Sequence, residues 1–145
     1  MRYDAHGLEI LGRADCLELL GSVPLGRVVF TDRALPAIQP VNFLLDGEDV
    51  IIRTSPGSKL ALAMRGAVVA FEADDFDPAT QEGWSVTLVG QSRLVDGDEE
   101  VARLSRLPLR PWAPGPRDRF IRISGGHLSG RRIHRLPAGP SGLAV

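Results

Sequence analysis

Short apolar runs separated by turn-forming residues dominate the chain, and they predict strands. Gly26 to Thr31 is the first such run, and Asp32-Arg33 reads as the turn after it. Ala37 to Leu45 follows, joined to Val50 to Thr54 by Asp46-Gly47, a dipeptide that suits the backbone of a tight hairpin. Val68 to Ala73, Trp84 to Val95, Arg119 to Ile123 and Leu128 to Ile133 complete the set. Longer-period patterning predicts short helices between them. Cys16, Leu19, Leu20 and Val23 share one side of a helix from Cys16 to Ser22, which Asp15 can cap and Pro24 ends. Lys59 to Arg65 reads as a second helix, its first turn beginning at Ser58. A third starts near Asp98, where acidic residues favour a helix N-terminus, and stops before Pro108. The acidic stretch from Asp74 to Gly83 and the proline-rich stretch from Pro108 to Pro116 read as loops. Pro137 to Val145 reads as a frayed tail.

Strands and helices in this order predict a mostly β fold with short helices, a small and largely antiparallel barrel with the helices packed outside. The regular strand–helix alternation of a parallel nucleotide-binding sheet is missing. At 145 residues the chain is long enough for one domain with a real core, assigned to residues 1–136 with a tail at 137–145. The formal net charge of −1 gives no global field to draw in nucleic acid or an anionic membrane. One cysteine excludes an intrachain disulfide and suits a reducing compartment. No apolar stretch reaches the length of a membrane span, and Met1 to Gly12 lacks a signal peptide's hydrophobic region. The expectation is a cytoplasmic protein that binds neither nucleic acid nor membrane.

The candidate chemistry centres on Arg53-Thr54-Ser55-Pro56-Gly57-Ser58-Lys59. Of 17 cationic side chains Lys59 is the only lysine, and it stands beside an arginine, three hydroxyls and a glycine. A phosphate monoester needs this donor set: fork-shaped guanidinium donors, a mobile ammonium, hydroxyls and loop N–H groups. The plain alternative is a solvated turn. Asn42, the only asparagine, sits in a predicted strand where its type is disfavoured, which fits either a ligand contact or a solvent-facing position. His6, His127 and His134 lack metal-ligand spacing, so no metal is expected. Cys16 on an apolar helix face reads as core. Glu72, Asp74, Asp75 and Asp77 read as a solvated acidic cluster.

Five motifs occur in sequence: Gly26-Arg27-Val28-Val29-Phe30; Pro40-Val41-Asn42-Phe43; Arg53-Thr54 with Gly57-Ser58-Lys59-Leu60; Gly83-Trp84-Ser85-Val86 with Gly90; and Gly130-Arg131-Arg132-Ile133. As an ordered set, spanning about residues 14 to 135, this resembles the pyridoxamine 5′-phosphate oxidase-like proteins, the flavin/deazaflavin oxidoreductases of the FMN-binding split-barrel fold. The resemblance implies a six-stranded antiparallel split β-barrel, a homodimer, and two cofactor sites at the subunit interface. It implies that Pro40, Val41, Asn42 and Phe43 lie along the flavin ring, and that Arg53, Thr54, Ser58 and Lys59 hold the cofactor phosphate. Trp84 and Ser85 would approach the ring, and Trp112 and Arg119 would reach across to the partner's cofactor. The implied function is hydride or electron transfer between bound FMN and a small organic substrate. A deazaflavin cofactor, with Arg65, Arg131 and Arg132 serving a longer acidic tail, is an alternative. A non-catalytic flavin or haem binder is another. Leu45 falls near the position where true pyridoxamine phosphate oxidases carry a substrate lysine, and the only tyrosine is Tyr3, so vitamin B6 oxidation is disfavoured.

Overall fold

A computed structural model describes residues 1–55, 57–109 and 119–134, with the backbone alone at Lys59. In chain order the elements are β1 (Arg2–Tyr3), β2 (Glu9–Ile10), α1 (Arg13–Leu20), β3 (Leu25–Asp32), β4 (Leu35–Asp46), β5 (Asp49–Thr54), α2 (Lys59–Ala63), β6 (Val68–Asp77), β7 (Glu82–Leu94), α3 (Asp98–Ser105), β8 (Arg119–Ile123) and β9 (His127–Ile133). Six of the strands close on one another in the order β7-β6-β3-β4-β5-β8, because β7 pairs with β8 as well as with β6. The expected mostly β barrel with short helices is therefore the observed one. No helix among the described residues is long and apolar enough to cross a membrane.

The barrel is split because its two longest strands change partners part-way. β4 pairs with β3 as far as Asn42 and with β5 from Phe43 onward. β7 pairs with β6 as far as Gln91 and with β8 from Ser92 onward. Two sheets thus share β4 and β7 and diverge elsewhere. The exchange on β7 depends on Gly90: a Cβ there would lie 1.9 Å from the Ser124 carbonyl oxygen, in the link between β8 and β9. The exchange on β4 is fastened to the end of the α1–β3 connection. Asn42 Nδ2 and the Phe43 N–H both donate to the Pro24 carbonyl, at 3.4 and 3.3 Å.

Alternation along the strands fills the interior. Val28, Val41, Phe43, Ile52, Phe71, Leu88, Ile121 and Ile123 are buried in one cluster, with Phe43 and Phe71 meeting edge to face at 4.6 Å between ring centres. Cys16 and Leu20 bury the inner face of α1 against this cluster, as the apolar pattern of that helix predicts. A smaller cluster of Ile51, Val95, Leu104, Leu109 and Phe120 seats α3 on the outside.

Several boundaries depart from the sequence expectation. The acidic stretch is largely strand: β6 runs to Asp77 and β7 begins at Glu82, with Asp74 opposite Ser85 and Asp77 opposite Glu82. This ribbon extends beyond the barrel with Asp74 to Asp77 exposed, so polar side chains on both faces are compatible with backbone pairing. α1 begins at Arg13 with Gly12 as its N-cap, and Asp15 lies in the first turn, where its charge favours the helix dipole without capping it. The β3–β4 turn is Arg33-Ala34, both at positive φ (52° and 64°), one residue later than read. α2 stops at Ala63. β1 and β2 are two-residue strands too short for periodicity to mark. Trp112 and the rest of 110–118, and the expected tail at 137–145, lie outside the described residues.

Candidate functional site

β4 and β5 part beyond the Phe43–Ile52 pair, so Pro40 to Asn42 on one strand and Arg53 and Thr54 on the other are not paired with each other. Val41 and Phe43 point inward and are buried, which leaves their backbones, not their side chains, to face a ligand. Pro40 is exposed and Asn42 half-buried. Asn42 already donates to Pro24, so its place in the strand has a structural reason whether or not a ligand also meets it.

Beyond Thr54 the chain turns through Gly57, at φ +68°, a left-handed conformation that favours glycine. Ser58 then caps α2: its Oγ accepts from the Ala61 N–H at 3.0 Å. The same oxygen lies 3.0 Å from Thr54 Oγ1. Two hydroxyls carry two protons and their mutual bond uses one, so the pair keeps one O–H free to donate. Thr54 is buried and Ser58 half-buried, so this donor is fixed in place. α2 has only five residues, so the side chains rather than a helix dipole must carry any anion. Lys59 opens α2 directly after the cap.

β8 brings two further groups to this corner. Thr54 is the cross-strand partner of Arg119, and Arg53 of Phe120. The Arg53 guanidinium lies over the Phe120 ring, 5.2 Å from its centre, and donates to the Leu109 carbonyl at 3.3 Å. These contacts orient it. A cavity of about 540 Å³ adjoins the turn, walled by Gly57, α2, the end of β7 and the start of β8; Arg65, Arg93, Asp96 and Arg119 supply its polar lining.

Trp84 and Ser85 lie at the other end of β7. Leu94, at the cavity, is ten positions from Trp84, about 33 Å along the strand. Trp84 packs against the barrel core and also borders, with Ser85 and Arg131, a smaller cavity of about 300 Å³. Arg131 is paired with Asp4 at 3.0 Å. Arg132 borders a third hollow together with Asp75 and Asp77.

One surface connects the two ends. In-register residues of a ladder face the same way, so Pro40, Arg27, Glu72 and Thr87 form one outward row across β4, β3, β6 and β7. The next row holds Ile38, Val29, Ala70 and Val89. Ile38 is 68% exposed and nearby Val68 66%. In this apolar surface Arg27 donates to Glu72 at 2.8 Å. Burial, helped by the neighbouring Asp74 carboxylate and opposed by Arg27, pushes the Glu72 carboxyl up to about 7.

Of the residues singled out in the sequence, the structure brings Thr54 and Ser58 together beside Arg119, turns the Arg53 guanidinium to the Phe120 ring, leaves Pro40 and Asn42 on β4, and sets Trp84 and Ser85 apart. The sequence reading missed the wall formed by Leu94, Val95 and Asp96. Val95-Asp96-Gly97 was legible only as the end of a strand, since nothing local marks which strand ends meet.

Comparison with known proteins places this arrangement in context. The family model described as pyridoxamine 5′-phosphate oxidase matches residues 12–132. The uncharacterized protein Rv0080 of Mycobacterium tuberculosis is 45% identical over 128 residues, covering 85% of this chain and 84% of its own. Among solved structures, the FAD binding protein from Mycobacterium smegmatis is 35% identical with a TM-score of 0.73, over 85% of this chain and 96% of that one. A conserved protein of unknown function from Corynebacterium diphtheriae is also 35% identical, with a TM-score of 0.72 over 86% and 96%.

Proposed function

The chain belongs to the pyridoxamine 5′-phosphate oxidase family, and from that premise we propose that it is a flavin-dependent oxidoreductase, binding FMN or the FMN portion of a larger flavin between two copies of itself. The observation that carries this reading is the Thr54–Ser58 hydroxyl pair, with its one free O–H, at the turn from β5 into α2, with Arg119 the cross-strand partner of Thr54. This donor set fits a phosphate monoester: two paired hydroxyls with a free O–H, next to strand β8, where Arg119 is the cross-strand partner of Thr54. The 35% identity to a FAD binding protein supports the same class of ligand.

When bound, the flavin ring supplies the hydride or electron transfer, to or from a small organic substrate. The chain's own residues bind and orient. Thr54, Ser58, Arg53, Arg119 and the ammonium of Lys59 hold the phosphate. The backbone of Pro40 to Phe43 offers fixed N–H and C=O groups where β4 parts from β5. The exposed apolar rows around Ile38, Val68 and Val89 give a second copy a surface to cover and so to exclude water. A partner is also what would bring Trp112 of one subunit to the cofactor of the other. A deazaflavin in the same seat is the second reading, favoured by the cationic cavity beside it. Vitamin B6 oxidation is not proposed, since Leu45 offers no charge for a substrate phosphate.

The decisive test is the visible absorption spectrum of the purified protein, with mass spectrometry of whatever heat releases. A flavin or deazaflavin spectrum is expected, on a particle of dimer mass. A colourless monomer that takes up neither FMN, FAD nor deazaflavin would overturn the reading. Replacing Lys59 with Ala should weaken FMN binding by more than about tenfold, the worth of one charge-assisted contact; unchanged affinity in a fluorescence titration would remove Lys59 from the seat.

A further inference from the structure

The outward face of β4, β3, β6 and β7 carries one charged cluster in largely apolar surroundings. Arg27 Nη1 meets two carboxylates at once, Glu72 at 2.8 Å and Asp74 at 3.4 Å. One cation therefore faces two anions, and the cluster holds an excess negative charge while both are ionised. Pro40 and Thr87 complete the row of Arg27 and Glu72 and add no charge. The row beside it is apolar through Ile38, Val29, Ala70 and Val89, with His127 of β9 at its far end. On the other side Asp74 lies in register with Ser85 and Arg131, and Arg131 is engaged by Asp4 at 3.0 Å.

A second copy of the same chain fits such a face. A two-fold axis would set the patch against itself, so that each copy brings apolar surface for the other's and a guanidinium to complement its carboxylates. Charge decides how well the contact holds. With both carboxylates ionised, two copies bring two cations and four anions into a water-poor contact, where an unpaired charge is costly. One proton per copy balances the charges. Burial, helped by the Asp74 carboxylate and opposed by Arg27, already pushes Glu72 up to about 7 in the single chain, and coverage by a second copy raises it further. We propose that a second copy of the chain docks tightly on this face while the Glu72–Asp74 pair holds one proton, so that pH switches self-association. The proposal rests on the two-copy flavin reading above and adds a control that reading does not require. Pro40 stands in the charged row and opens the segment assigned to the ring, so flavin retention follows the contact.

The test is the self-dissociation constant of the full-length protein, with the flavin it retains, by sedimentation at pH 6 and pH 8 and constant ionic strength. A carboxyl raised in the dimer favours association at low pH, and that gain is lost as pH rises. The constant should therefore rise roughly a hundredfold, about tenfold for each of the two protons released per dimer in the unit above pH 7. Glu72→Gln should hold it near the pH 6 value throughout. Asp74→Asn, at an exposed position, should do the same, because it leaves one carboxylate on Arg27. His127→Gln should leave the dependence in place. Equal constants at the two pH values in the unaltered protein overturn the proposal and leave the flavin reading intact. So does a dependence that survives in either carboxylate variant, or one that disappears with His127. A monomer at both pH values overturns both.

Discussion

Two groups of arginines flank the smaller of the two sheets, and they are used in opposite ways. Arg122 on β8 is nearly enclosed, its side chain 9% exposed, and it meets three carboxylates: Asp46 at 2.7 Å, Asp49 at 2.8 Å and Glu100 at 3.0 Å. Arg103 adds a second cation on Asp46 at 2.9 Å, and Arg93 one on Glu100 at 3.0 Å. This network ties the β4–β5 hairpin, α3 and β8 together and leaves no obvious donor for a ligand. At the far end of the same β8 strand, Arg119 carries no such partner, and neither does Arg65 across the cavity, among the described residues. In a chain with 16 arginines and one lysine, the number of cations says little about function. What separates a fastening from a binding site is whether carboxylates already satisfy the guanidinium.

The sharpest way to break this comparison is to truncate one arginine from each group. Arg122→Ala leaves three carboxylates crowded around a lost cation, and removal of one partner of a buried network costs about 3–5 kcal/mol. Urea denaturation should show a loss of that size. Arg119→Ala removes an exposed side chain and should change stability by no more than about 0.5 kcal/mol, yet weaken flavin retention. Equal stability losses in the two variants would show that the groups are not distinct.

How far the sequence anticipated this molecule depends on the distance between the residues involved. Strands β3, β4, β5, β8 and β9 were legible because alternation and turn residues such as Asp46-Gly47 are local signals. The ribbon from Asp74 to Glu82 was not, because its mostly polar, exposed side chains show no apolar alternation and its backbone pairing leaves no local mark. At the site, Arg53, Thr54 and Ser58 were legible as one turn, contiguous in the chain. That Arg119 stands beside Thr54 depends on a β5–β8 pairing across 65 positions, which no short pattern encodes. Asn42 shows the reverse problem: an unusual residue drew a functional reading, and the structure supplies a fold reason, its bond to Pro24 at the point where β4 changes sheets.

A smaller effect sharpens the binding side. Thr54→Val keeps shape but removes one of the paired hydroxyls, so Ser58 no longer has a partner to spend its proton on and the free donor shifts position. Flavin affinity should fall roughly tenfold, the worth of a misplaced hydrogen bond to a charged group, with little change in melting temperature. Ser58→Ala should do both, because that oxygen also caps α2, a role worth about 1 kcal/mol. A Thr54→Val protein with wild-type flavin affinity would remove the hydroxyl pair from the seat.

The smallest effects are in pH, and they have opposite signs in the two parts of the molecule. Hydrogen bonds from Arg103 and Arg122 hold the Asp46 carboxyl down from 3.8 to about 2. A carboxylate depressed on folding stabilises fully above its unfolded value, and that stabilisation is lost as pH falls from about 3.8 toward 2. Glu72, raised by burial and by Asp74 from 4.5 to about 7, does the reverse: its contribution is fully present below 4.5 and is lost as pH rises toward 7. Both side chains keep some solvent, 24% for Asp46 and 29% for Glu72, so screening trims both effects. Unfolding free energies measured from pH 2 to 8 should therefore fall away on each side of a maximum near the middle of that interval. Glu72→Gln should flatten the slope on the alkaline side and leave the acid side unchanged, while Asp46→Asn should do the opposite. If Glu72→Gln left the alkaline slope intact, the carboxyl on the outward apolar face would be ionised throughout, and Arg27 would outweigh burial there.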